Sequence, residues 1–151
     1  GDGPLIGVTW RAGPDVEAAD GGDRLLSKAI GIDDLVPYVD IPGATLVVLQ
    51  RLPRADELAQ LEQRFPGRVL DLNTLNNDLE DMLAVLTLLD DYVGVSNTNM
   101  HLRAGVGRSA TVLIPHPPEW RWQTDGEHSE WFPRFRLVRQ SPEGQWPKPR
   151  A

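Results

Sequence analysis

Asp91-Tyr-Val-Gly-Val-Ser-Asn-Thr-Asn-Met-His-Leu-Arg-Ala-Gly105 is the stretch on which the rest of the chain turns. It opens as a short apolar, β-prone run, Tyr92-Val93-Gly94-Val95, and changes character at four small polar residues, Ser96, Asn97, Thr98 and Asn99. All four are good helix N-cap residues. Met100, Leu102, Ala104 and Val106 then continue as a helix-compatible segment. A strand that passes through such residues into a helix offers free backbone N–H groups and the positive end of the helix dipole. Open α/β sheets hold phosphates in this way. An ordinary βα turn uses the same residues, so the stretch alone leaves the ligand open.

Working outward, residues 5–10, Leu-Ile-Gly-Val-Thr-Trp, read as a buried first strand, and residues 44–49 as a second, continuous and apolar. Residues 68–72 make a shorter third strand and residues 110–114 a fifth. Between them lie three helices. One begins at Asp33-Asp34 and is broken by Pro42-Gly43. A second runs over residues 55–64, with Leu58, Leu61 and Phe65 at helical spacing. The third runs from a cap at Asn76 or Asn77 to about Leu89, with a stripe of Leu79, Met82, Leu83, Leu86 and Leu89 facing the core. Phe135-Arg-Leu-Val-Arg139 alternates apolar and basic, as a half-exposed edge strand does. Residues 11–23 are rich in Gly, Pro, Asp and Ala and form a long loop, with Arg24 and Lys28 near its far end.

Strands alternating with helices predict an open, mostly parallel, doubly wound sheet of about six strands, with helices on both faces. In the strand order 3-2-1-4-5-6, the chain changes direction between strands one and four. The ligand crevice then lies at their carboxyl ends. Those ends carry Arg11 on one side and Ser96, Asn97 and Thr98 on the other, so two distant segments converge on one site.

Composition narrows the chemistry. The 151 residues fit one domain, and 40% hydrophobic with 25% charged residues is an ordinary globular balance. With no cysteine there is no thiolate metal site, and nothing argues for secretion. No apolar run approaches the roughly 20 residues that span a bilayer, so the expected setting is the cytoplasm. A net charge of -7 argues against a nucleic-acid partner, while a local basic pocket can still take a small anion. No Gly-x-Gly-x-x-Gly, Walker A or Gly-x-Ser-x-Gly motif is present, and His101, His116 and His128 lack metal-ligand spacing. His101 could touch a ligand or be an ordinary structural histidine. Three of the five tryptophans fall within residues 120–131, and the tail from Ser141 is polar, Pro-rich and expected to pack weakly. The expected organisation is one domain over residues 1–140 with a tail over 141–151. The start at Gly1, without Met, reads as a piece of a longer protein.

Several motifs in order carry a resemblance. They are Gly7-Val8-Thr9-Trp10, the segment opening at Lys28, Pro42 to Gln50, Asn97-Thr98-Asn99-Met100-His101-Leu102, Pro117 to Trp122, and Phe135 to Gln140. Together the chain resembles the carboxyl-terminal, Rossmann-like half of GT-B glycosyltransferases. The similarity is nearest to the domain that follows tetratricopeptide repeats in bacterial proteins related to O-linked N-acetylglucosamine transferase, and more distant to heptosyltransferases. The resemblance implies a nucleotide-sugar donor, with a UDP-sugar as the first guess, and no metal or further cofactor. It implies that Thr98 and its helix start hold the diphosphate, that Lys28 neutralises it, and that His101 touches the phosphate or ribose. Arg11, Ser96, Asn97 and Asn99 complete the expected donor site, with no catalytic residue assigned. Asn97 stands where the family motif has Asp, and Arg103 where a small residue is commoner. Hexosyl transfer would need an amino-terminal domain to supply acceptor and base, and the chain alone is expected to be inactive. The alternative is a non-catalytic domain that docks proteins through its Trp-rich segment.

Overall fold

A computed structural model describes residues 3–12 and 28–149. Most of the long loop after Arg11, including Arg24, lies outside them. Among the described residues, six parallel strands form one sheet in the order β3-β2-β1-β4-β5-β6. The strands are β1 (Leu5–Thr9), β2 (Thr45–Val48), β3 (Val69–Asp71), β4 (Asp91–Gly94), β5 (Ala110–Ile114) and β6 (Phe135–Arg139). The helices are α1 (Ile32–Val39), α2 (Ala55–Arg64), α3 (Leu79–Leu88) and α4 (Thr98–Gly105). The doubly wound α/β architecture is therefore present, and every strand pair is parallel.

Alternation along the strands builds two cores. Ile6, Val8, Leu46, Val48 and Val93 point to one face and pack against Leu35 and Val39 of α1 and Leu61 of α2. Val47, Tyr92 and Val112 point to the other and meet Met82 and Leu86 of α3 and Met100 of α4. The central strands β1, β2, β4 and β5 are covered on both sides, as parallel sheets require, while β3 at the edge leaves Leu70 exposed. Gly94 sits where β4 meets the carboxyl end of β1, and a methyl group there would lie 2.6 Å from the Thr9 carbonyl oxygen. Only glycine lets the two strands approach this closely.

Several expectations need correction. The third helix is not capped by Asn76 or Asn77. Residues Asn73–Asn77 form a 3-10 turn, and Asp78 caps α3 by accepting from the N–H groups of Glu80 (2.9 Å) and Asp81 (3.1 Å). The stripe on α3 is also narrower, with Met82, Leu86 and Leu89 buried and Leu79 exposed. Finally, β6 lies at the sheet's edge but is not half-exposed. Phe135 and Leu137 belong to one core and Val138 to the other.

Arg139 is bound rather than solvated. It donates to the carbonyls of Gly126 (2.8 Å), Gln123 (3.0 Å), Asp125 (2.7 Å) and Trp122, fastening the connection between β5 and β6. The tail is better anchored than its composition suggests. Trp146 packs against the α1-side core, and the Tyr38 hydroxyl donates to the Pro147 carbonyl. No helix among the described residues is long and apolar enough to cross a membrane.

Candidate functional site

A cleft of about 660 Å³ opens at the carboxyl ends of β1, β2 and β4, within the usual range for small-molecule sites. It lies at the topological switch point between β1 and β4. Arg11, Lys28, Ser96, Asn97, Thr98, Asn99 and His101 all line it. The fold thus gathers every residue that sequence reasoning nominated, although they do not play equal parts.

Thr98 is the first residue of α4 and is exposed at the cleft. The first N–H groups of a helix lack intrahelical acceptors, and the dipole's positive end lies there. Asn97 is the N-cap. Its Oδ1 accepts from the Met100 N–H at 3.0 Å, and its Nδ2 donates to Thr9 Oγ1 at 2.9 Å. Thr9 Oγ1 also shares a 2.9 Å hydrogen bond with the Tyr92 hydroxyl. Burial pushes the Tyr92 phenol up, partly offset by its hydrogen bonds to Thr9 and Asn97, so it stays neutral. Asn97 therefore ties β4 to β1, and its amide is committed to structure. Asn99 is likewise engaged, donating to the carbonyl of Leu49 (3.3 Å) and to Asn76 Oδ1 (3.0 Å).

The charges fall into two groups. Arg11 pairs with the buried Glu57 at the start of α2 and donates to the Leu52 carbonyl at 2.7 Å. Leu52 holds a left-handed backbone, φ 48°, at the cleft wall. Such a conformation costs a β-carbon-bearing residue on the order of 1 kcal/mol. The second group centres on Glu119, only 8% exposed. It pairs with Lys28 through one oxygen. Through the other it meets Arg121 Nη1 at 3.1 Å and the Ser96 hydroxyl at 3.4 Å. Burial, then the nearby Arg121 charge, lowers the Lys28 pKa.

His101 leans on an aromatic bed, its ring 6.4 Å from Trp122 and nearly parallel, and 5.3 Å from Phe132. Burial lowers its pKa, followed by the charges of Arg121 and Lys28. The imidazole is thus held toward its neutral form, able both to donate and to accept.

Several residues at the site escaped the sequence reading, the cleft-lining Arg51 among them. Gln50 crosses from β2 to accept the N–H groups of Trp10 (2.9 Å) and Arg11 (3.0 Å). Asn76 donates to the Leu49 carbonyl at 3.0 Å. Glu119 and Arg121 come from the connection between β5 and β6, whose Glu-Trp-Arg-Trp run was visible but had no evident link to the switch point. Beside them Trp120 and Trp131 are 73% and 66% exposed and meet edge to face at 6.4 Å, while Trp122 is buried. Arg121 lies over the Trp120 ring at 5.3 Å.

Among the described residues, those lining the cleft include four basic side chains, Arg11, Lys28, Arg51 and Arg121, and no carboxylate, in a chain of net charge -7. Fold and cleft together define an open parallel α/β domain with a cationic crevice at its switch point. No protein-family model, curated protein or solved structure matches the chain.

Proposed function

We propose that this domain binds the diphosphate of a nucleotide sugar and is the donor-binding half of a GT-B glycosyltransferase-like protein, with a UDP-sugar the first candidate. The observation that carries the reading is a cleft to which the described residues bring four cations and no carboxylate, in an acidic chain, at the switch point of the sheet. In this reading Thr98 and the start of α4 receive one phosphate, Lys28 and Arg121 the other, and His101 a phosphate or ribose oxygen. These groups would stabilise the leaving diphosphate as charge develops on it. Acceptor and general base would come from a further domain of a longer chain with tetratricopeptide repeats.

Calorimetric titration with UDP, ADP and GDP tests the reading. UDP should release heat at one site, and Lys28→Ala should weaken binding by about tenfold or more, since a charged partner of phosphate is lost. Thr98→Ala should weaken it less. Absence of binding by any of the three nucleotides would sink the proposal. A second reading, a non-catalytic module that docks a protein partner, is favoured by the exposed Trp120–Trp131 pair. Under that reading nucleotides give no heat, and replacing both tryptophans leaves folding intact while abolishing association with the partner.

A further inference from the structure

We propose that Glu119 is a built-in counter-anion, occupying the donors of the cleft until a phosphate displaces it. This rests on the diphosphate-binding reading and adds a residue that tempers its affinity. Three donors from three separate segments converge on this one carboxylate. They are the Lys28 ammonium, the Arg121 guanidinium at 3.1 Å and the Ser96 hydroxyl at 3.4 Å. Lys28, Ser96 and Arg121 all also line the cleft. An ammonium, a guanidinium and a hydroxyl around a single pair of oxygens make an anion site, here filled by the protein's own anion.

The carboxylate stands behind the cleft wall, not among its lining residues, and borders the small pocket formed with Pro115, Pro117 and Trp122. The local geometry gives it few other ways to be satisfied. A buried carboxylate needs partners to offset its desolvation, and among the described residues its polar contacts are these three groups. A phosphate that claims Lys28 and Arg121 must take them from Glu119, so part of the ligand's attraction is spent on breaking an existing pair. The same competition would help a leaving diphosphate to depart, because Glu119 recaptures both cations as the product moves out.

A carboxylate that merely positioned the cations would have the opposite sign on removal, and calorimetry with inorganic pyrophosphate and with UDP separates the two. Glu119→Gln keeps the shape and the Ser96 contact but removes the charge, and should tighten binding of both probes by roughly tenfold. Glu119→Asp keeps the charge and withdraws it, and should tighten binding by less. Thermal unfolding of each variant checks that the fold survives, and Glu119→Asp serves if Glu119→Gln does not fold. If wild type binds and both variants bind equally or more weakly, Glu119 is a positioning group and the counter-anion idea is overturned while the diphosphate reading stands. Wild type that binds both probes, with tighter binding of both after Glu119→Gln, supports the counter-anion. Failure of both probes with wild type and with the variants would overturn both proposals together.

Discussion

At His101, burial and two neighbouring cations act in the same direction, each favouring the uncharged imidazole. Its folded pKa lies below the ordinary 6.5, so just beneath that pH the unfolded chain binds more protons than the folded one. Stability therefore rises with pH in this window. It is unaffected above pH 6.5 and declines as pH falls toward the folded pKa, below which no further loss arises from this group. Melting temperatures between pH 5 and 7.5 should fall more steeply on acidification in wild type than in His101→Gln. Parallel curves would show that the imidazole is not held neutral. The neighbouring Asn97 shows how far a residue can be read from sequence. Its capping role follows from residue type and place, but the bond from its amide to Thr9, 88 positions away, does not.

Among the elements, α3 and α4 are joined by one buried side chain. Arg103, only 1% exposed, donates to the carbonyls of Ser109 (2.8 Å), Leu89 (3.1 Å) and Leu86. The last carbonyls of a helix have no intrahelical donors, and a forked guanidinium can serve several at once. This is why a large basic residue stands where a small one was the commoner expectation. Arg103→Met fills similar space without donors and should lower unfolding free energy by about 3 kcal/mol or more, because several buried acceptors lose their partner together. Urea denaturation reads this directly, and a change within about 0.5 kcal/mol, the range of an ordinary surface substitution, would refute the clamp. Lysine at this position should recover only part of the loss, since one ammonium cannot reproduce the fork.

For the whole molecule, what could be read in advance follows the range of the interactions that decide it. The bounds of α2, β5 and β6 were legible because apolar spacing and flanking breakers are local. The start of α3 was not, because Asn76 is drawn into a 3-10 turn and donates across the sheet to Leu49. Six of the seven nominated site residues share a cleft because strand order brings the ends of β1 and β4 together, and Lys28 joins them through its carbonyl, which accepts from the Ala12 N–H at 3.2 Å. Glu119 and Arg121 arrive from a connection without regular period, held by Arg139 on β6, and no spacing rule announces such a fold-back. The basic cleft was legible only as a possibility, since net charge says nothing of where individual charges lie.

The seat of Arg121 on Trp120 carries an optical consequence. Indole emission responds to a charge resting against the ring, and this charge belongs to a side chain that also lines the cleft. A ligand that draws the guanidinium inward would leave the indole facing solvent, so occupancy should register as a change in intrinsic fluorescence without any added label. Titrating UDP while exciting tryptophan should give a saturable signal that is largely lost in Trp120→Phe but kept in Trp131→Phe. A signal unchanged by Trp120→Phe would mean that Arg121 stays on its ring when the cleft is filled.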